Sequence, residues 1–181
     1  TELPAGTGSI VYVVDVSGSM GLDLDSEWLD RLGRAKRELR RSIDSLPAAW
    51  RFDVLAYDCD PRAWSGKLQA ATDENKRAAG GWVAALTPSG ATGTGLAVGT
   101  ALLEDRTNKL VVLLTDGDPN CHSLTMCGNV PPDVHRADIR AANVQRASIN
   151  VFGISCPAGS AMERFCVDVA SDNGGVFVSV R

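Results

Sequence analysis

The sequence predicts a doubly wound α/β fold, with a mostly parallel central sheet flanked by helices, spanning residues 1–181 as one domain. Three observations carry this expectation. Residues 10–14 (IVYVV) and 110–114 (LVVLL) are almost wholly apolar, as strands buried on both faces are. The segments between such runs place apolar residues at steps of three and four, so strands and helices alternate along the chain. Both runs lead to an aspartate, Asp15 and Asp116, and in open parallel sheets the ligand crevice lies beyond the carboxyl ends of the strands.

The first strand is expected over 9–15. It leads into DSEWLDRLGRAKRELRRSIDSLP (25–47), where Trp28, Leu32, Ala35, Leu39, Ile43 and Leu46 mark one face of a helix that Asp25 or Ser26 caps and Pro47 ends. Its basic residues are interleaved with Glu27, Asp30 and Glu38, the pattern of a solvated face. RFDVLAY (51–57) reads as a second strand and 62–68 as a short edge strand. Helices over 73–85 and 94–104 precede the strand KLVVLLTDG (109–117). The alternation then continues with a helix over 137–148, a strand over 149–156, a helix over 161–175 closed by Gly174, and a last strand over 176–180.

With 22 acidic against 18 basic side chains the formal charge is -4, which argues against the basic field that nucleic acid or anionic lipid requires. No apolar run reaches the roughly 18 residues of a membrane span, so direct membrane insertion by this domain is not expected. The cysteines are Cys59, Cys121, Cys127, Cys156 and Cys166. Their spacing suggests Cys121 with Cys127 and Cys156 with Cys166, leaving Cys59 free or bonded outside the domain, and favours an extracellular, cell-surface or periplasmic setting. Five reduced thiols in a cytosolic protein are the other reading.

DVSGSM sets Asp15, Ser17 and Ser19 at every second position. In an extended segment alternate side chains point the same way, and Gly18 lets the backbone turn tightly, so these oxygens can share one ion. The loop PSGATGTGL offers Thr92 and Thr94 ahead of a helix, and Asp116 follows the 110–114 run. Two carboxylates and several hydroxyls make an all-oxygen set that suits a hard cation such as Mg²⁺, Mn²⁺ or Ca²⁺. Taken alone, Asp-x-Ser-x-Ser is also a turn that ends a strand.

Three separated motifs together resemble the von Willebrand factor A domains. DVSGSM matches their Asp-x-Ser-x-Ser motif, SGAT the loop that supplies their threonine, and LLTDGDPN their second-aspartate strand; the resemblance covers essentially the whole chain. It implies a Rossmann-like fold and a metal-ion-dependent adhesion site, with Ser17, Ser19 and Thr92 as hydroxyl ligands and Asp15 and Asp116 holding the metal directly or through water. It also implies a non-enzymatic module that captures an Asp or Glu carboxylate of a protein partner through the metal. The alternative is a structural or assembly module of a larger protein whose metal site is not the partner contact.

The segment DPNCHSLTMCGNVPPDVH (118–135) is expected on the same face. Asp118, Asn120 and His122 would join Asp58 and Asp60 in a partner-binding rim, and a Cys121–Cys127 bond would stiffen it. A zinc site from Cys121, His122, Cys127 and His135 is an alternative, although the spacing matches no common finger. A Cys156–Cys166 bond would tie the last helix to the strand before it and limit sliding. SGATGTGL is also similar to the phosphate-binding loop of short-chain dehydrogenases, but Leu96 stands in place of their third glycine and no aliphatic strand precedes it. A serine nucleophile needs an adjacent base, and nothing in the sequence places His122 or His135 beside Ser17.

Overall fold

A computed structural model describes residues 7–117, 119–122 and 130–180. Its strands are β1 (Ser9–Asp15), β2 (Arg51–Tyr57), β3 (Pro61–Ala63), β4 (Gln69–Ala70), β5 (Leu110–Thr115), β6 (Ser148–Ile154) and β7 (Phe177–Val180). The helices are α1 (Arg31–Ser45), α2 (Asp73–Ala84), α3 (Thr94–Glu104), α4 (Pro132–Ala142) and α5 (Ala161–Asp172). The sheet runs β3-β2-β1-β5-β6-β7, with β4 also on β2, and only the short edge strands β3 and β4 are antiparallel. Strand order reverses at β1, which pairs in parallel with β2 on one side and β5 on the other. The mostly parallel, doubly wound sheet expected from the sequence is therefore present.

Alternation along β1 divides the core between the two faces of the sheet. Ile10, Tyr12 and Val14 pack with Leu32, Ala35, Leu39 and Ile43 of α1 and with Ala79 and Val83 of α2. Val11 and Val13 pack with Ala97, Val98 and Leu102 of α3, Ile139 of α4, and Phe165 and Val169 of α5. Both faces of β1 and β5 are thus removed from water, which is why their sequences show no polar alternation.

Two helices, α1 and α4, are displaced from expectation, and α5 ends at Asp172, short of 175. The helix expected from residue 25 begins at Arg31, with the Asp30 carboxylate accepting the Gly33 N–H at 2.6 Å as its cap. Asp25 folds a separate turn instead, its Oδ1 accepting the N–H groups of Glu27 and Leu29, and Trp28 sits at φ +60, which no helix continues through. The helix expected over 137–148 is α4, which begins at Pro132 and stops at Asn143, whose side chain takes the Ala147 N–H.

The cysteine pairing also differs. Cys121 is bonded to Cys59, with Cα atoms 5.6 Å apart, and not to Cys127, which lies outside the described residues. β1 lies between β2 and β5, and both flanking strands end on the same edge, so residues far apart in sequence meet there. Cys156 and Cys166 are separate buried thiols, with sulfurs 3.9 Å apart, and the Cys156 S–H donates to the Asp116 carbonyl at 3.1 Å. The covalent restraint expected on the last helix is therefore missing.

At the opposite edge, Asp53 of β2 is buried and accepts the N–H groups of Ser65, Gly66 and Lys67. Burial, followed by the charge and hydrogen bond of this neighbour, pushes the Glu104 carboxyl up to about 8. A carboxyl raised in the folded state holds a proton that the unfolded chain has lost, so stability falls as pH rises from the ordinary carboxylate range through about 8. Urea unfolding between about pH 5 and 9 is expected to show this decline, and Glu104→Gln to make it shallower. An unchanged slope in the variant would show that the two carboxyls do not share a proton.

Candidate functional site

β1 delivers Asp15 to the carboxyl edge of the sheet, where it is fully buried. Its Oδ1 accepts the Ser17 N–H at 2.8 Å and its Oδ2 accepts the Thr115 hydroxyl at 2.6 Å. The chain then tightens into a single 3-10 turn over Gly18–Gly21, which leaves the Ser17 and Ser19 hydroxyl oxygens 3.2 Å apart. The three alternate oxygens of DVSGSM are thus gathered at one point.

Two further segments close on this turn. Ser89 N–H donates to the Val16 carbonyl at 2.7 Å, and Gly18 N–H to the Gly90 carbonyl at 3.0 Å. Gly90 reverses the chain at φ +73, and Gly93 lies so close to the segment after β2 that a Cβ there would come within 2.5 Å of the Cys59 carbonyl oxygen. Thr92, buried between them, is held by Asn120, whose Oδ1 accepts the Thr92 N–H and whose N–H donates to the Thr92 carbonyl, both at 3.0 Å. Asp116 follows β5 and is also fully buried.

Electrostatics set this cluster apart. Burial, and then the negative charge of Asp116, push the Asp15 carboxyl up to about 7. Asp116 meets Arg31 of α1 through Oδ2 at 2.7 Å, whereas its Oδ1 is buried and has no hydrogen-bond partner. An unmet carboxylate oxygen beside a second buried carboxylate fits a cation, and the surrounding hydroxyls fit a hard one. Among the described residues no group of three or more His, Cys, Asp or Glu side chains forms a metal cage, so any ion here would depend on the hydroxyls.

The other expected site residues divide. Asp58 lies beside Gly90, its carboxylate accepting from the Asp60 N–H and from Arg62, so part of the expected acidic rim is already neutralised. Asn120 positions Thr92 through the bonds described above. His122 pairs with Asp138 of α4 at 3.0 Å, and His135 is buried with Nδ1 accepting the Gly95 N–H. These two histidines and the disulfide-bonded Cys121 form no zinc site among the described residues. Asp118 lies outside the described residues.

Sequence reasoning missed three contributors. Thr115 is the last residue of an apolar strand, and its hydroxyl was legible only as one more β-former. Arg31 carries the same local signal as the solvated arginines of its helix. Cys59 was left over by nearest-neighbour pairing, although its place beside the end of the second strand was a usable signal.

Residues 9–181 match the family model described as von Willebrand factor type A domain. Inter alpha-trypsin inhibitor heavy chain 4 of Mus musculus is 25% identical over 97% of this chain, which spans only 18% of that relative's length. Among solved structures, a von Willebrand factor type A protein from Catenulispora acidiphila superposes with a TM-score of 0.70 at 22% identity, covering 98% of this chain and 39% of that one. The vWF domain of the type V pili tip protein Mfa5 from Porphyromonas gingivalis gives 0.73 at 12% identity, covering 98% and 91%. At these identities the structural matches speak for the fold alone.

The Cys59–Cys121 bond spans 62 residues and ties the end of β2 to the segment after β5, around the loop that carries Thr92. Closing a loop of that length contributes about 4 kcal/mol by restricting the unfolded chain. Reduction, or the double variant Cys59→Ser with Cys121→Ser, is expected to lower the unfolding midpoint by about 10 °C. Thermal unfolding with and without reductant tests this, and finding both thiols alkylated in the untreated protein would refute the pairing.

Proposed function

Because the chain belongs to the von Willebrand factor type A domain family, we propose that it is a non-enzymatic recognition module. It holds a divalent cation, Mg²⁺ or else Mn²⁺ or Ca²⁺, at Asp15, Ser17, Ser19, Thr92 and Asp116, and takes an Asp or Glu side chain of a protein partner there. The observation that carries this reading is the buried, unbonded Oδ1 of Asp116 beside a second buried carboxylate. When bound, an ion balanced by only two carboxylates and neutral hydroxyls keeps enough Lewis acidity to accept a carboxylate from outside.

The chain's own residues prepare that encounter. Thr115 and the Ser17 N–H fix Asp15, and Asn120 fixes the loop carrying Thr92. Little ordering is left to be done on binding, which favours affinity. Leu22, Leu24 and Trp28, at 55%, 61% and 81% exposure, continue the surface from the turn that contains Ser19. They suit a partner whose acidic residue has apolar neighbours. The Ser17 and Ser19 hydroxyls bond to each other, and the two histidines bond to the Gly95 N–H and to Asp138, so no serine here is paired with the adjacent base a nucleophile needs. The disulfide supports an exported or surface-exposed setting.

One observation favours a second reading. Arg31 already supplies a positive charge to Asp116, which suits an assembly module of a larger protein whose partner contact lies away from the metal site. Thermal unfolding under Mg²⁺ and Mn²⁺ against chelator tests the metal on which the first reading depends, and loss of partner capture in Thr92→Ala separates the two. For a site of Kd about 1 mM, about 10 mM metal stabilises by about 1.4 kcal/mol and raises the midpoint by about 3–6 °C. That shift is expected in the wild type and not in Thr92→Ala; its absence from the wild type would favour the assembly module.

A further inference from the structure

The geometry points to Arg31 as a built-in counter-cation that competes with a divalent ion for Asp116 and so sets the metal affinity of the site. This inference rests on the metal-binding reading above. Its basis is a single contact with unusual surroundings. The Asp116 side chain is 0% exposed and that of Arg31 12%, and Nη1 meets Oδ2 at 2.7 Å. The same guanidinium turns its Nε and Nη2 to Asp23 Oδ2, with Nε at 2.8 Å, and the Asp23 side chain is 56% exposed. Arg31 therefore bridges a buried carboxylate of the candidate site and a carboxylate at the surface.

The bridge is held from both ends. Arg31 is the first residue of α1, immediately after the Asp30 cap, and its own N–H donates to the Leu22 carbonyl at 3.1 Å. The Asp23 carbonyl accepts from Arg34 Nη2 at 2.7 Å, which fixes the loop on which Asp23 sits. The guanidinium is thus placed by the helix start and not by a freely swinging side chain. The negative charge of Asp116 is offset along one edge while the other edge, Oδ1, stays unmet.

An incoming divalent ion at Oδ1 encounters a positive charge already seated on the same carboxylate. Like charges sharing one carboxylate in a buried site repel strongly, because little solvent screens them. Asp23 holds the other edge of the same guanidinium, so the positive charge that Asp116 receives is shared with a surface carboxylate, and metal affinity depends on that sharing. Replacing Arg31 by a neutral residue should expose the full negative charge of the cluster. It should therefore weaken the metal-free fold and strengthen metal binding at the same time, and a merely structural arginine would not move the two in opposite directions.

The test uses Mn²⁺ alone as the probe, with free ion followed by electron paramagnetic resonance and metal-free stability followed by thermal unfolding. Arg31→Gln is expected to lower the metal-free midpoint and tighten Mn²⁺ binding about tenfold or more, and Arg31→Lys, which keeps the charge, to bind close to wild type. Asp23→Asn removes the surface seat on an exposed loop, at a φ of +58 that asparagine tolerates, so its fold is not at risk. It should leave Arg31 wholly on Asp116 and weaken Mn²⁺ binding about threefold. Binding by Arg31→Gln but not by the wild type would support the competition in its strongest form. Equal or weaker binding by Arg31→Gln, with the wild type still binding, would overturn the inference and leave the metal-binding reading intact. No binding by wild type, Arg31→Gln or Arg31→Lys would overturn both.

Discussion

Two buried carboxylates, at the end of β1 and just after the neighbouring parallel strand β5, are the constraint around which this edge of the domain is built. Asp15 and Asp116 are both fully removed from water and close enough for the charge of one to raise the proton affinity of the other. Ionised groups in such a place are tolerated only where donors or cations meet them. Asp15 draws in the Ser17 N–H and the Thr115 hydroxyl, and Asp116 draws in Arg31. The tight turn after β1 and the polar end of β5 serve those demands, and the first residue of α1 reaches Asp116.

The parts of the fold that depend on periodicity were legible in the sequence. β1 and β5 read as almost wholly apolar runs because both of their faces are buried, and α2 and α3 begin at the expected residues, α2 with the Thr72 hydroxyl as its cap. α1 did not, because Asp25 and Asp30 are equally good caps on paper and only the tertiary position of the loop selects the second. The DVSGSM, SGAT and second-aspartate segments were legible as one cluster, since the strand order required them to share an edge. What the sequence hid were pairings across that edge. Nearest-neighbour spacing assigned Cys121 to Cys127, whereas the parallel order of β2, β1 and β5 brings Cys59 to it. In the same way Arg31 looks like one solvated basic residue among six, because nothing local distinguishes the member of a basic helix that starts beside a buried aspartate.

The surroundings of Asp116 also explain why this corner combines a rigid backbone with one adjustable charge. Gly117 turns the chain at φ +82 against α5, where a Cβ would come within 2.5 Å of the Met162 carbonyl oxygen and 2.9 Å of the Cys166 sulfur. Cys156, whose sulfur lies 3.9 Å from that of Cys166, donates its S–H to the Asp116 carbonyl. The Asp116 backbone is thereby fixed between the end of β6 and the first turn of α5, so a change of ligand at its carboxylate has no room to be absorbed by main-chain movement. The freedom that remains lies in the side chains facing it. Of these, Ser17 and Ser19 bond to each other and are neutral, while Arg31 carries a charge that Asp116 shares with Asp23. On the competition proposed above, a change in charge at this site falls on the arginine, and Asp23 links it to the exposed loop that carries Leu24 and Trp28.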